Sequence, residues 1–247
     1  MKYNSLYMTA LAIVMAVAFS SCKKNIIWVP TDPPDPNIIM TTSKSGVVSI
    51  KMQGTGSAEI DWGDGEKSGV VFYHNIPVEF THNYSGSSPK TIKITYGGSV
   101  THFNCSSLEL TNLDVSNAPT LKELRCSVNQ LTSLDLSKNS ALTVLSCSIN
   151  QLQGTLDISK NTALIELWCN WNRLTGLNAS GLDALIYVEC SSNYMDTAAL
   201  NALFGTLNSA PGMKTIFIGN NGPNYNGIGT NGCDRNIATG KGWTVGV

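Results

Sequence analysis

Five cysteines are the residues whose type and spacing first suggest chemistry. Cys105, Cys126, Cys147, Cys169 and Cys190 follow one another at steps of 21, 21, 22 and 21 residues. A thiol can ligate metal, form a disulfide, attack as a nucleophile or simply pack. Zinc sites use close pairs such as C-x-x-C, and the sequence has none. Nucleophilic use needs a base, and His74, His82 and His102 lie in or next to the strand-rich stretch 42–99 rather than among the cysteines. No G-x-S-x-G occurs either. If the cysteines stack at strand spacing, about 4.8 Å, a disulfide is not forbidden by Cα distance. Parallel side chains, however, point alongside each other rather than toward each other. Five buried thiols acting as small apolar groups is the simplest use.

Other motifs invite chemistry and fall short of it. Gly227–Gly232, "GIGTNG", fits G-x-G-x-x-G, but a loop precedes it where a dinucleotide site needs a strand. The chain also ends at Val247, before the required acid. Asp114, Asp135 and Asp157, followed by Asn178, recur at one position. A carboxylate column could hold calcium, and capping of the following serine turns is the simpler use. Asp61 and Asp64, around a Gly-Asp-Gly turn, read the same way. With 16 Lys+Arg against 17 Asp+Glu and only 13% charged residues, the chain lacks the concentrated positive surface that nucleic acid requires. No cofactor is expected, and the chain is read as no enzyme.

The cysteines belong to a larger frame, L-x-x-L-x-C-x-x-N-x-L-x-x-L-D-hydrophobic-S. Val100, Leu121, Leu142, Leu164 and Leu185 head its copies. Phe103, Leu124, Leu145, Leu167 and Val188 hold the second apolar position. Asn129, Asn150, Asn172 and Asn193 hold the asparagine position, with Leu108 in the first copy. This frame resembles the leucine-rich repeat, in which each copy is one coil of a solenoid. Equivalent residues then stack into inward ladders, and each buried leucine contributes about 1.5–3 kcal/mol. Residues flanking the inward leucines point outward on short parallel strands. Trp168, Trp171 and Tyr187 are expected to cluster there, edged by Glu166, Asn170, Arg173 and Glu189, with Arg125 nearer the start of the array. Exposed aromatic rings with polar neighbours are what protein hot spots use, and sugars also stack on such rings.

The remaining elements should bound and position this array. Residues 42–99 alternate as strands in "VVSIKM", "AEIDWGDG", "VEFTHNY" and "TIKITYG". The combination "WGDG" and "HNY" resembles a PKD-like module, which implies a small β-sandwich that covers the first coil. Residues 196–247 open with "DTAALNALFGTLNS". Asp196 is its expected N-cap, and Leu200, Leu203, Phe204 and Leu207 form one apolar stripe. Strands follow in "KTIFIG" and "GWTV", completing a helix/strand cap over the last coil.

At the start, Lys2, the apolar run Met8–Phe19 and "FSSC" resemble a bacterial lipoprotein signal peptide of residues 1–21. The resemblance implies acylation of Cys22 and stable anchoring by several chains. Residues 22–41, with Pro30, Pro33, Pro34 and Pro36, read as an extended tether. The repeats together with these flanks are similar to the leucine-rich-repeat surface lipoproteins of Bacteroides-type bacteria. One departure from that group is Lys23-Lys24 after the cysteine, where acidic residues are common. The expected fold is mainly β with short α: a leucine-rich-repeat solenoid over 100–195, flanked by the β-sandwich-like module and the cap. The resemblance implies a lipid-anchored outer-membrane protein of the cell envelope that binds a protein or glycan. An envelope spacer without a defined ligand is the alternative.

Overall fold

Alternation of buried and open side chains decides the strands. The computed structural model describes residues 35–72 and 76–247. Cys22, the apolar run before it, residues 22–34 of the expected tether, and His74 lie outside the described residues. Strand β1 (Ile38–Thr42) buries Ile38, Met40 and Thr42. The last residues of the expected tether therefore enter the sheet, because Ile38 and Met40 give them an apolar face to bury. The runs "VVSIKM" and "AEID" are one strand, β2 (Gly46–Asp61). It pairs antiparallel with β3 (Lys67–Phe72), β4 (Val78–Tyr84) and the long β5 (Lys90–Asn104). Its register with β5 shifts between Gln53 and Gly54. A Cβ on Gly54 or Gly56 would collide with the backbone oxygen of Ser99 or Gly97 on β5, so only glycine permits that approach.

At the tip of β2 the turn is built as the Gly-Asp-Gly motif implies. The Gly63 N–H donates to Asp61 Oδ1 at 2.9 Å, and the Glu66 N–H to Asp64 Oδ1 at 3.2 Å. Beneath it, Trp62 is fully buried and stacks on His82 with ring centroids 4.9 Å apart. His82 Nε2 sits 2.7 Å from Asp64 Oδ2, and the Tyr84 hydroxyl donates to the Trp62 carbonyl. The WGDG and HNY segments, 20 residues apart, thus meet in one buried cluster.

Beyond β5 come β6 (Leu110–Asp114), β7 (Glu123–Arg125), β8 (Val144–Ser146), β9 (Gln153–Asp157), β10 (Glu166–Trp168), β11 (Arg173–Asn178) and β12 (Tyr187–Glu189). Helix α1 (Thr197–Thr206), β13 (Lys214–Phe217) and β14 (Trp243–Gly246) follow, with two short helices, α2 (Ile228–Gly232) and α3 (Asn236–Thr239), between the last two strands. One sheet runs in the order β14-β13-β12-β10-β8-β7-β5-β1-β6, and β9 and β11 pair separately. From β5 through β14 each rung is parallel to the next. This is a β-solenoid, and its interior holds the leucine and cysteine ladders.

The two ends differ from the expected arrangement. The N-terminal strands do not simply cover the first coil. They share its strand, because β5 pairs with β1 and β2 and then, at His102–Asn104, with β7. The C-terminal segment carries the sheet onward rather than only shielding it. Ile216 follows Val188 in register, Ile218 takes the cysteine position and Asn221 the asparagine position. Helix α1 buries Leu200, Leu203 and Phe204, and the Asp196 carboxylate accepts from the Ala199 N–H at 2.8 Å.

Candidate binding surfaces

Each coil is a repeat of the same hydrogen-bond construction, and that construction makes the outer surface rigid. All five ladder cysteines are fully buried free thiols. Their amides bond to the next rung, as from Cys126 to the Ser146 carbonyl and from Cys147 to that of Trp168, both at 2.8 Å. Burial pushes the Cys147 thiol up to about 12 and the other four further above their ordinary value. These sulfurs are therefore packing groups, inert as nucleophiles.

The asparagine ladder locks the turn that follows. Asn150 Nδ2 donates to the carbonyls of Cys126 (3.0 Å) and Cys147 (3.1 Å), and its Oδ1 accepts from the Leu131 N–H at 3.0 Å. Asn129, Asn172 and Asn193 repeat the pattern. A second ladder, on the opposite side of the coil, was not foreseen from sequence. Asn139 donates to the carbonyls of Val115 and Ala118, and Asn161 to those of Leu136 and Asn139. Asn208 does the same for Leu182 and Leu185. The recurrent "SKN" was the available signal for it.

The aspartate column caps turns. Asp114, Asp135 and Asp157 accept from the N–H of Ser116, Ser137 and Ser159 at 2.9, 2.9 and 3.0 Å. Among the described residues no group of three or more His, Cys, Asp or Glu side chains is placed to hold a metal ion.

The residues singled out for binding separate into three places. Trp168 and Tyr187 meet on the outward sheet face, ring centroids 5.1 Å apart. Phe217 of β13 continues the row, 6.0 Å from Tyr187. Sequence reading missed Phe217 because its strand lay in the presumed cap. Glu166 and Glu189 sit on the same rungs, in register with Tyr187 and Trp168. Burial first, then the Glu189 charge, raises the Tyr187 hydroxyl above its ordinary value. Asn170 is tied down, accepting from the Ser148 hydroxyl. Arg125 lies two rungs away, bonded to Glu123 in a small cleft of about 290 Å³ with Lys51, His102 and Asn104. Trp171 and Arg173 belong to neither group. They occupy the corner after the sheet, where Trp171 packs 5.8 Å from Tyr225, and Tyr225 5.1 Å from Tyr194.

That corner has a backbone signature. The residue before each ladder asparagine has positive φ: Val128 (58°), Ile149 (54°), Trp171 (55°), Ser192 (54°) and Asn220 (57°). Three of these are large apolar residues left open to solvent, with Val128 45%, Ile149 50% and Trp171 52% exposed.

No protein-family model matches the chain, and no curated protein matches it. Among solved structures it is similar to the functional domain of InlJ from Listeria monocytogenes, described as including a cysteine ladder. The two are 27% identical with a TM-score of 0.36, and the match covers 56% of this chain. The chain spans about a third of that structure, the match covering 32% of it.

Proposed function

We propose that this protein is a non-enzymatic docking module of the bacterial cell envelope, anchored by acyl chains on Cys22. Its C-terminal sheet face engages a protein partner. The observation that carries the docking reading is the row Trp168–Tyr187–Phe217, three aromatic rings on successive parallel rungs. The rings are half-buried against one another and edged by Glu166 and Glu189. Rigid rings on a hydrogen-bonded sheet lose little side-chain freedom on binding, which is why aromatic residues dominate interface energetics. The acidic edges favour a partner with basic residues around an apolar centre.

The anchor rests on sequence: a positive start, a short apolar run and small residues directly before Cys22. Among the described residues no helix is long and apolar enough to cross a membrane.

The test is capture of proteins from envelope extract and from medium by the full chain, compared with Trp168→Ala and Tyr187→Ala. A specific protein retained by the parent and lost by both variants, at unchanged melting temperature, supports docking. Equal recovery by all three chains points to a spacer. Separately, Cys22→Ser should move the protein from the membrane to the soluble fraction, and continued retention in the membrane would refute the anchor.

A further inference from the structure

We infer that the corner beyond the sheet is a second site, distinct from the sheet face, that binds a pyranose oligosaccharide through Trp171. The turn frame requires a left-handed residue at this position in every coil, and Asn220 shows the kind of residue that meets the requirement at little cost. At Trp171 the frame instead carries a large indole in that conformation, with more than half of its surface open to solvent. Tyr225, also at positive φ (57°), packs against it and donates its hydroxyl to the Asn172 carbonyl at 3.2 Å. Tyr194 completes a three-ring cluster. Val128 and Ile149 are exposed in the same conformation, so the backbone alone does not single out this coil; what distinguishes Trp171 is an open aromatic ring backed by two tyrosine rings.

Beside Tyr194, at the end of the cluster away from Trp171, lies an open cleft of about 480 Å³, lined by Gln153, Gly154, Arg173, Thr175 and Tyr194. Its size falls within the ordinary range for small-ligand sites, roughly 300–1,000 Å³. Gly154 leaves one wall without a side chain. The other lining groups are hydrogen-bonding and include no carboxylate. Among the described residues Arg173 forms no ion pair, so its guanidinium remains available as a planar donor. One cation is too little for a polyanion. A ligand with a C–H face to lie on the rings and hydroxyls around its edge matches both halves of the site, and a pyranose has that form.

The experiment uses the full chain titrated with cellotriose, chitotriose and maltotriose, followed by intrinsic fluorescence and calorimetry. At least one trisaccharide should bind saturably. Trp171→Ala and Trp171→Asn should each weaken it by about tenfold, the loss expected when one stacking ring is removed. Trp171→Asn should at the same time melt no lower than the parent, since asparagine tolerates the left-handed backbone. Trp168→Ala, on the sheet face, should leave the saccharide affinity unchanged, which separates this site from the protein-docking surface. Absence of saturable binding by all three sugars up to roughly 10 mM, or unaltered affinity in both Trp171 variants, would overturn the inference.

Discussion

At the scale of single residues, the ladders explain which substitutions this coil can bear. Asn150 satisfies two carbonyls and one N–H that are otherwise sealed in the turn. Asn150→Ala removes these bonds at once, but the Cys126 and Cys147 carbonyls each keep a second amide, from Asn129 and Asn172. The Leu131 N–H is the group left buried without a partner, so a loss of about 1–3 kcal/mol is expected in urea unfolding. The first copy carries Leu108 here because no earlier coil of the same frame precedes it. The thiols make a second residue-level prediction. In the native protein, of the cysteines after Cys22, only half-buried Cys233 should react rapidly with a thiol reagent, and the five ladder cysteines only after denaturation. No reductant should be needed, and fewer than six thiols released without it would mean a disulfide. The inward cysteines were legible in the sequence because apolar positions recur with them. The left-handed corner was not, since Val128 and Ile149 are the residues least expected there and nothing in their type announces positive φ.

At the scale of elements, the legible parts were those whose periodicity is strict. The frame from Leu121 to Asn193 places each strand, β7, β8, β10 and β12, at its inward leucine or valine. The rung at β13 was hidden. Its heading position is an exposed Met213, Ile218 replaces cysteine, and helix α1 stretches the step from Leu185 to 28 residues. The long strand β2 was read as two because the bulge at Gly54 and Gly56 looks like a turn in one dimension. Turn elements also carry the acid sensitivity. The backbone N–H of Ser137, then its hydroxyl, holds Asp135 below the ordinary carboxylate value of 3.8, and Ser159 does the same for Asp157. His82 is the chief cause of the same lowering at Asp64. A depressed folded value means stability that is present above about pH 3.8 and lost as pH falls through the lowered values. Melting temperature should thus be insensitive to these groups from neutral pH to just above that point and fall below it. Asp135→Asn should shrink the acid drop by its share, and an unchanged acid limb would show that the caps do not matter to stability.

At the scale of the whole molecule, the two regions read separately from the sequence are joined by one strand. The first stretch of β5 pairs with β1, its longer remainder with β2, and its last three residues with β7. Unfolding the coils would strip β5 of a partner, and unfolding the N-terminal strands would leave the first rung without a neighbour. A coil cannot bury its apolar face alone, so stability resides in the contacts between rungs. The buried cluster of Trp62, His82 and Tyr84 lies far along β2 from the coils, yet it is coupled to them through this shared strand. Leu145 is the natural place to test that coupling. It is fully buried and in register with Leu124 and Leu167 on either side. Leu145→Ala should cost about 2–5 kcal/mol, the range for a leucine removed from a closed core. If β5 transmits the loss, native-state hydrogen exchange should show the amides of Ile60 and Ile94 losing protection by the same free energy as those of Cys126 and Cys147. A single denaturation transition should persist at a lower midpoint. Parental protection at Ile60 and Ile94, or two transitions in place of one, would mean that the N-terminal strands fold on their own and that β5 is a seam rather than a link.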